Sequence, residues 1–222
     1  MAMNKIILTL VWLLSLLTFV HAKDLPIISK RDFFGIYLGE EITNVIKRAS
    51  EKGIDIKQTS QDELPEYSFT GAINTNAAVK ETKFWIYKGR IVQIRIFFRN
   101  ISFENYTDIK QVLGKKYPKI PDAEVQKWKQ EWELKSEPTF PDSSSHLSGD
   151  DFSPNSFNMA DPNTTFFLTN TKIDNQMISI CLTLMRNSVL YVDYKHDCVD
   201  IIRQEDLRLL KEHKMKSVSD NL

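Results

Sequence analysis

The side chains best equipped for chemistry in this chain are gathered in Lys195-His196-Asp197-Cys198. A Cys/His nucleophile needs the two groups adjacent in space, with a third group orienting the base. Neighbours on a strand point to opposite faces, so adjacency in sequence does not by itself supply that arrangement. A small hydrolase centred on His196 is therefore the alternative reading of the chain. His21, His146, His196 and His213 form no i, i+4 pair, and no CxxC occurs, so no metal site is expected. Asp150-Asp151 has carboxylates for calcium but lacks the spacing of an EF-hand loop. Neither a GxSxG nor a zinc-protease motif is present, and no cofactor is expected.

Phosphate chemistry is the next candidate, in FFGIYLGEEITNVIKRASEKG, residues 33–53. Gly35 and Gly39 precede a patterned helix, but Walker spacing, its Lys and the third glycine of a dinucleotide fingerprint are missing. Glu40 and Glu41 would also place negative charge where a phosphate sits on a helix N-terminus. The glycines are read as the means of turning a strand sharply into a helix. This Phe34-Gly35-Ile36-x-Leu38-Gly39 entry and its short helix resemble those of many small bacterial envelope proteins of unknown function. In architecture these are similar to the β-lactamase inhibitor protein and the small outer-membrane-assembly lipoproteins. The resemblance implies a periplasmic α+β module that binds another macromolecule. The lipoprotein cysteine is absent here, and no functional residue carries across.

Recognition chemistry is better placed. In KFWIYKGRIVQIRIFF, residues 83–98, two alternating runs read as a hairpin. A three-residue loop over Tyr87 to Gly89 sets Phe84 against Val92, with Ile86, Ile94, Ile96 and Phe98 on the same apolar face. The other face then holds Trp85, Ile91, Gln93, Arg95, Phe97 and Arg99. Trp85, Arg95, Phe97 and Arg99 are residue types enriched at interface hot spots, and they form the candidate partner-binding surface. The competing reading is that another layer covers this face.

The elements that position these residues follow from periodicity. Ile42, Val45, Ile46 and Ala49 form one helical stripe, with Gly53 at its C′ position. Phe103, Tyr106, Ile109, Leu113 and Tyr117 form a second, with Ser102 as N-cap and Pro118 as stop. In residues 177–194, a loop over Arg186 to Ser188 pairs Leu184 with Leu190, Leu182 with Val192 and Ile180 with Tyr194. A last amphipathic segment lies near DLRLLKEH. The order predicts an α+β fold, with helices packed on one face of an antiparallel sheet and a degenerate tandem repeat of α-then-β units.

The boundaries read as follows. Residues 1–22 are a secretory signal peptide: Lys5, an apolar or neutral run from Ile6 to Phe19, then Val20-His21-Ala22. Retention as a membrane anchor is the competing reading; cleavage leaves a soluble chain beginning at Lys23, periplasmic or secreted. Residues 23–135 form a first α+β unit with the second helix and a following strand. Residues 136–162 are an acidic Ser/Pro/Asp-rich loop, and 163–222 supply a strand hairpin and a C-terminal helix. Basic and acidic residues balance at 29 each, so no overall field favours nucleic acid. An oxidising compartment favours a disulfide between Cys181 and Cys198. The hairpin register opposes it, because Cys181 lies opposite Asp193 with Cys198 five residues further on and on the other face. The balance falls against the bond. The most economical function is a non-catalytic binding module for a protein partner, of inhibitor or envelope-assembly type.

Overall fold

The computed structural model describes residues 32–62, 64–136, 163–186 and 188–197, with Val199, Arg208, Glu212 and Met215 beyond them. The expected signal peptide, most of the acidic segment, Cys198 and nearly all of the expected C-terminal helix lie outside the described residues. A short ribbon of β1 (Asp32–Phe33) and β2 (Ile36–Tyr37) leads into α1 (Ile42–Ser50). A meander follows: β3 (Lys57–Ser60), β4 (Glu66–Thr70), β5 (Val79–Tyr87) and β6 (Arg90–Phe98). Then come α2 (Phe103–Lys116), α3 (Asp122–Ser136) and a second meander of β7 (Thr164–Ile173), β8 (Gln176–Met185) and β9 (Val189–His196). The two meanders join through β6 and β9 into one seven-stranded antiparallel sheet of order β3-β4-β5-β6-β9-β8-β7. The fold is mixed α+β, as expected.

The entry motif acts through its backbone. Phe34, Gly35 and Gly39 all adopt left-handed φ values. A Cβ on Gly35 would sit 2.8 Å from the Cβ of Ile73, so the close approach needs glycine. The amides of this turn bond within the protein: Gly35 N–H to Asp32, Tyr37 N–H to the buried Glu40 carboxylate, and Gly39 N–H to the carbonyl of Ile91. Arg48 also donates to Glu40, at 2.7 Å, and so ties α1 back onto the turn. The role is structural. At the other end of α1, Ile54 N–H bonds to Ala49 and Gly53 N–H to Ser50, a Schellman ending that uses Gly53 at φ 69°.

The first hairpin differs from its expected register. Its turn has two residues, Lys88 and Gly89, both at positive φ, and pairs Tyr87 with Arg90 and Ile86 with Ile91. A bulge follows, after which Trp85 faces Gln93 and Phe84 faces Ile94. The physical reason is the entry motif. Ile91 exchanges backbone bonds with Gly39 and Glu40, at 2.7 and 2.9 Å, and its side chain turns into the main core. Val92 is thereby moved to the opposite face, beside Tyr87 and Val199. The second hairpin has the expected register throughout, with Leu184, Leu182 and Ile180 opposite Leu190, Val192 and Tyr194.

Phe84, Ile94, Ile96, Ile180, Leu182 and Val192 form the centre of the main core. Val45 and Ala49 of α1 and Tyr106 and Leu113 of α2 belong to the same cluster. Ser102 caps α2 by accepting from Asn105 N–H. Two stripe residues stay out of the core: Ile46 and Phe103 are exposed. α3 stands where a strand was expected. Its Trp128 and Trp132 pack with Trp85, Tyr87 and Val92 in the second cluster, so the helices do not all share one face. No described helix is long and apolar enough to cross a membrane.

Candidate partner-binding face

On the sheet face opposite the main core, β4, β5, β6 and β9 run antiparallel and their alternate side chains line up in rows. Pairing of Arg95 with Asp193 brings together residues 98 apart in sequence. The guanidinium forks onto the carboxylate, with Nε to Oδ1 at 2.8 Å and Nη2 to Oδ2 at 2.7 Å, while Gln93 also donates to Oδ1. The side chain of Asp193 is 4% exposed and that of Arg95 26%. Burial opposes the charge on Arg95, but the hydrogen bonds and proximity of Asp193 outweigh it and raise the guanidinium's pKa.

Aromatic rings hold the same guanidinium from two sides. Arg95 lies 5.2 Å over the Trp85 ring and 4.4 Å over that of Tyr191. Phe97 packs against Tyr191 with ring centroids 5.6 Å apart, and Lys83 lies 6.0 Å over Phe97. Lys83 is in turn paired with Glu66 at 3.0 Å. Burial raises the Glu66 pKa, but bonds from Thr59 and Lys83 more than offset that and leave it lowered. The result is a ladder of alternating rings and cations whose charges are paired within the chain. Trp85, Arg95 and Phe97 remain partly exposed on it. A pocket of about 270 Å³ opens beside Phe97, lined among others by Lys80, Lys83, Ser188 and Leu190.

The structure therefore brings together three of the four residues singled out from sequence. Arg99 is exposed at the strand end and donates to the carbonyl of Val79, apart from the ladder. Tyr191, Asp193, Lys83 and Glu66 belong to it and were missed. The outward position of Asp193 in an otherwise apolar strand was the available signal.

His196 occupies a different setting. It is 2% exposed, its ring lies 6.3 Å from that of Trp128, and burial pushes its pKa down to about 4. Its neighbour Asp197 bonds to Ser179 and faces Lys129 at 3.6 Å. Cys198, the last residue of KHDC, lies outside the described residues. Cys181 is a buried free thiol opposite Asp193, as its register implied; burial pushes its pKa up to about 11, against a bond to Thr183. Among the described residues, no three His, Cys, Asp or Glu side chains gather as a metal site. Comparison with protein-family models, curated proteins and solved structures finds no match to this chain.

Proposed function

We propose that this protein is an exported, non-catalytic binding module that docks a protein partner on the ringed-cation face of its sheet. The observation that carries this reading is the clamp on Arg95. A guanidinium held by two carboxylate bonds and two rings, still partly open to solvent, is a rigid anchor that loses little side-chain entropy when a partner covers it. Trp, Tyr and Arg are also the residue types that dominate interface energetics.

The apolar run before Lys23 supports export to the periplasm or beyond, and the likeness of the FGIYLG entry to small envelope proteins supports an inhibitor or assembly role. Each half of the chain runs helix first and antiparallel meander second, with α1 and α2 sharing one core cluster, and we read these halves as a degenerate tandem repeat. Replacing Trp85 by Leu tests the docking reading, since Leu keeps apolar contact but removes the ring under Arg95. Partner affinity of the folded variant should fall by about 2 kcal/mol or more, and the melting temperature should fall as well, because Trp85 also packs in the cluster with Trp128 and Trp132. Unchanged affinity in a folded variant overturns it.

A further inference from the structure

Two residues of the KHDC stretch meet α3 where β9 ends. His196 closes the strand, is buried, and packs against the Trp128 ring at 6.3 Å. Asp197 follows it, accepting from Ser179 of β8 at 2.8 Å through Oδ1 and facing Lys129 of α3 at 3.6 Å through Oδ2. Trp128 and Lys129 are consecutive, so a single turn of α3 meets both residues. The start of the helix is fixed separately, by the buried Val125 and the pairing of Lys172 with Glu124. Past Lys129, Trp132 joins Trp85, Tyr87 and Val92 in the second cluster.

Both contacts depend on protonation, and in the same direction. An imidazole packed under an indole stays out of water only while neutral, because charging it there strips its hydration. Burial accordingly pushes the His196 pKa down to about 4, from an ordinary value near 6.5. Asp197, conversely, attracts Lys129 only while ionised. The charged groups on the elements that meet here can be named. α3 brings Lys129 and the exposed Lys127, and β9 brings Lys195, with Asp197 just beyond it. β8 sets Ile178 opposite His196, flanked by Met177 and Ser179, none of them an acid or a base. A group whose folded pKa is depressed takes its proton more readily once exposed, so acid favours any state that hydrates His196. Docking of α3 is complete above about pH 6.5 and weakens as pH falls toward about 4.

We infer that α3 is an acid-released latch: protonation of His196 and Asp197 frees the helix while the sheet stays folded. The main core lies on the other face and contains neither Trp128 nor Trp132, so the helix leaves without opening it. Release uncovers Trp85, Tyr87 and Val92. Trp85 is also one of the two rings over Arg95, so the aromatic surface beside that clamp grows in acid. The latch rests on its own contacts and holds whether or not this face docks a partner. A 15-residue helix is marginal alone in water, so a released α3 also loses its backbone protection.

Amide hydrogen exchange of the full chain at pH 7 and pH 5, corrected for the intrinsic pH dependence of exchange, tests the latch. Protection of the amides from Trp128 to Trp132 should fall by about tenfold or more, the consequence of a histidine pKa lowered to about 4. The amides of Phe84, Ile94 and Val192 in the sheet should keep theirs. In His196→Gln, neutral at both pH values, most of the α3 difference should vanish. Equal α3 protection at the two pH values overturns the inference. So does a parallel loss in α3 and the sheet, which is ordinary acid unfolding, or a loss in folded His196→Gln as large as in the parent chain. If His196→Gln does not fold, the comparison of α3 with the sheet in the parent chain still decides.

Discussion

The two faces of the sheet are made by the same strands and solve opposite problems. On one, Phe84, Ile94, Ile96, Ile180, Leu182 and Val192 are buried and closed over by residues of α1 and α2. On the other, the intervening residues include Lys83, Trp85, Arg95, Phe97, Tyr191 and Asp193, with Lys83 and Arg95 each held by a ring and a carboxylate. The first face stabilises the fold by removing apolar area from water. The second combines paired charges with a smaller apolar cluster, in which Trp85, Tyr87 and Val92 pack with Trp128 and Trp132 of α3.

Substitutions separate the two faces, and the largest effect is expected where they overlap. Arg95→Ala leaves the Asp193 carboxylate buried without its principal cation. It should cost about 3–5 kcal/mol of folding stability, measured by urea unfolding. Arg95→Ala is therefore a poor probe of binding, although hot-spot composition alone recommends it. Ile94→Ala, on the apolar face beside it, should cost about 2–5 kcal/mol through cavity formation. If Arg95→Ala costs almost nothing while Ile94→Ala costs this much, the Arg95–Asp193 pair is not the fixed anchor described above.

A third, smaller effect is pH-dependent. The ordinary histidine pKa is near 6.5, and burial lowers that of His196 to about 4. Between those values the unfolded chain binds a proton that the folded chain does not. Stability should be full above about pH 6.5 and fall as pH drops through about 4, by on the order of 3 kcal/mol. His196→Gln should flatten that part of the unfolding profile. A profile unchanged by the substitution places the acid sensitivity elsewhere.

How far the sequence reveals this molecule depends on the range of the forces that set each feature. The second hairpin is legible because alternation and its loop decide it locally, and Leu184 to Leu190 pair accordingly. The first is not, although its alternation is as clear. Its register answers to Gly39 and Glu40, which bond Ile91 from some fifty residues away and turn it into the core. α3 has Val125, Trp128 and Trp132 at i, i+3 and i+7, a helical stripe that the dense charges around it obscure. Part of the candidate site was readable for the same reason. Trp85, Arg95 and Phe97 follow from alternation along one hairpin, whereas Asp193 and Tyr191 arrive only when β9 pairs with β6.

The claim that the ringed-cation face docks a partner is tested most directly by photo-crosslinking from two phenylalanine positions in the protein's own host. A photoreactive phenylalanine derivative replaces Phe97 on the mixed face or, in a second strain, Phe103 on α2. Phe103 is 62% exposed and Phe97 only partly so, and chance collision therefore favours Phe103. The account predicts one discrete heavier adduct from position 97, lost on adding Trp85→Leu, and none from position 103. An adduct from position 103 alone, equal adducts from both, or an adduct at 97 that survives Trp85→Leu would contradict it.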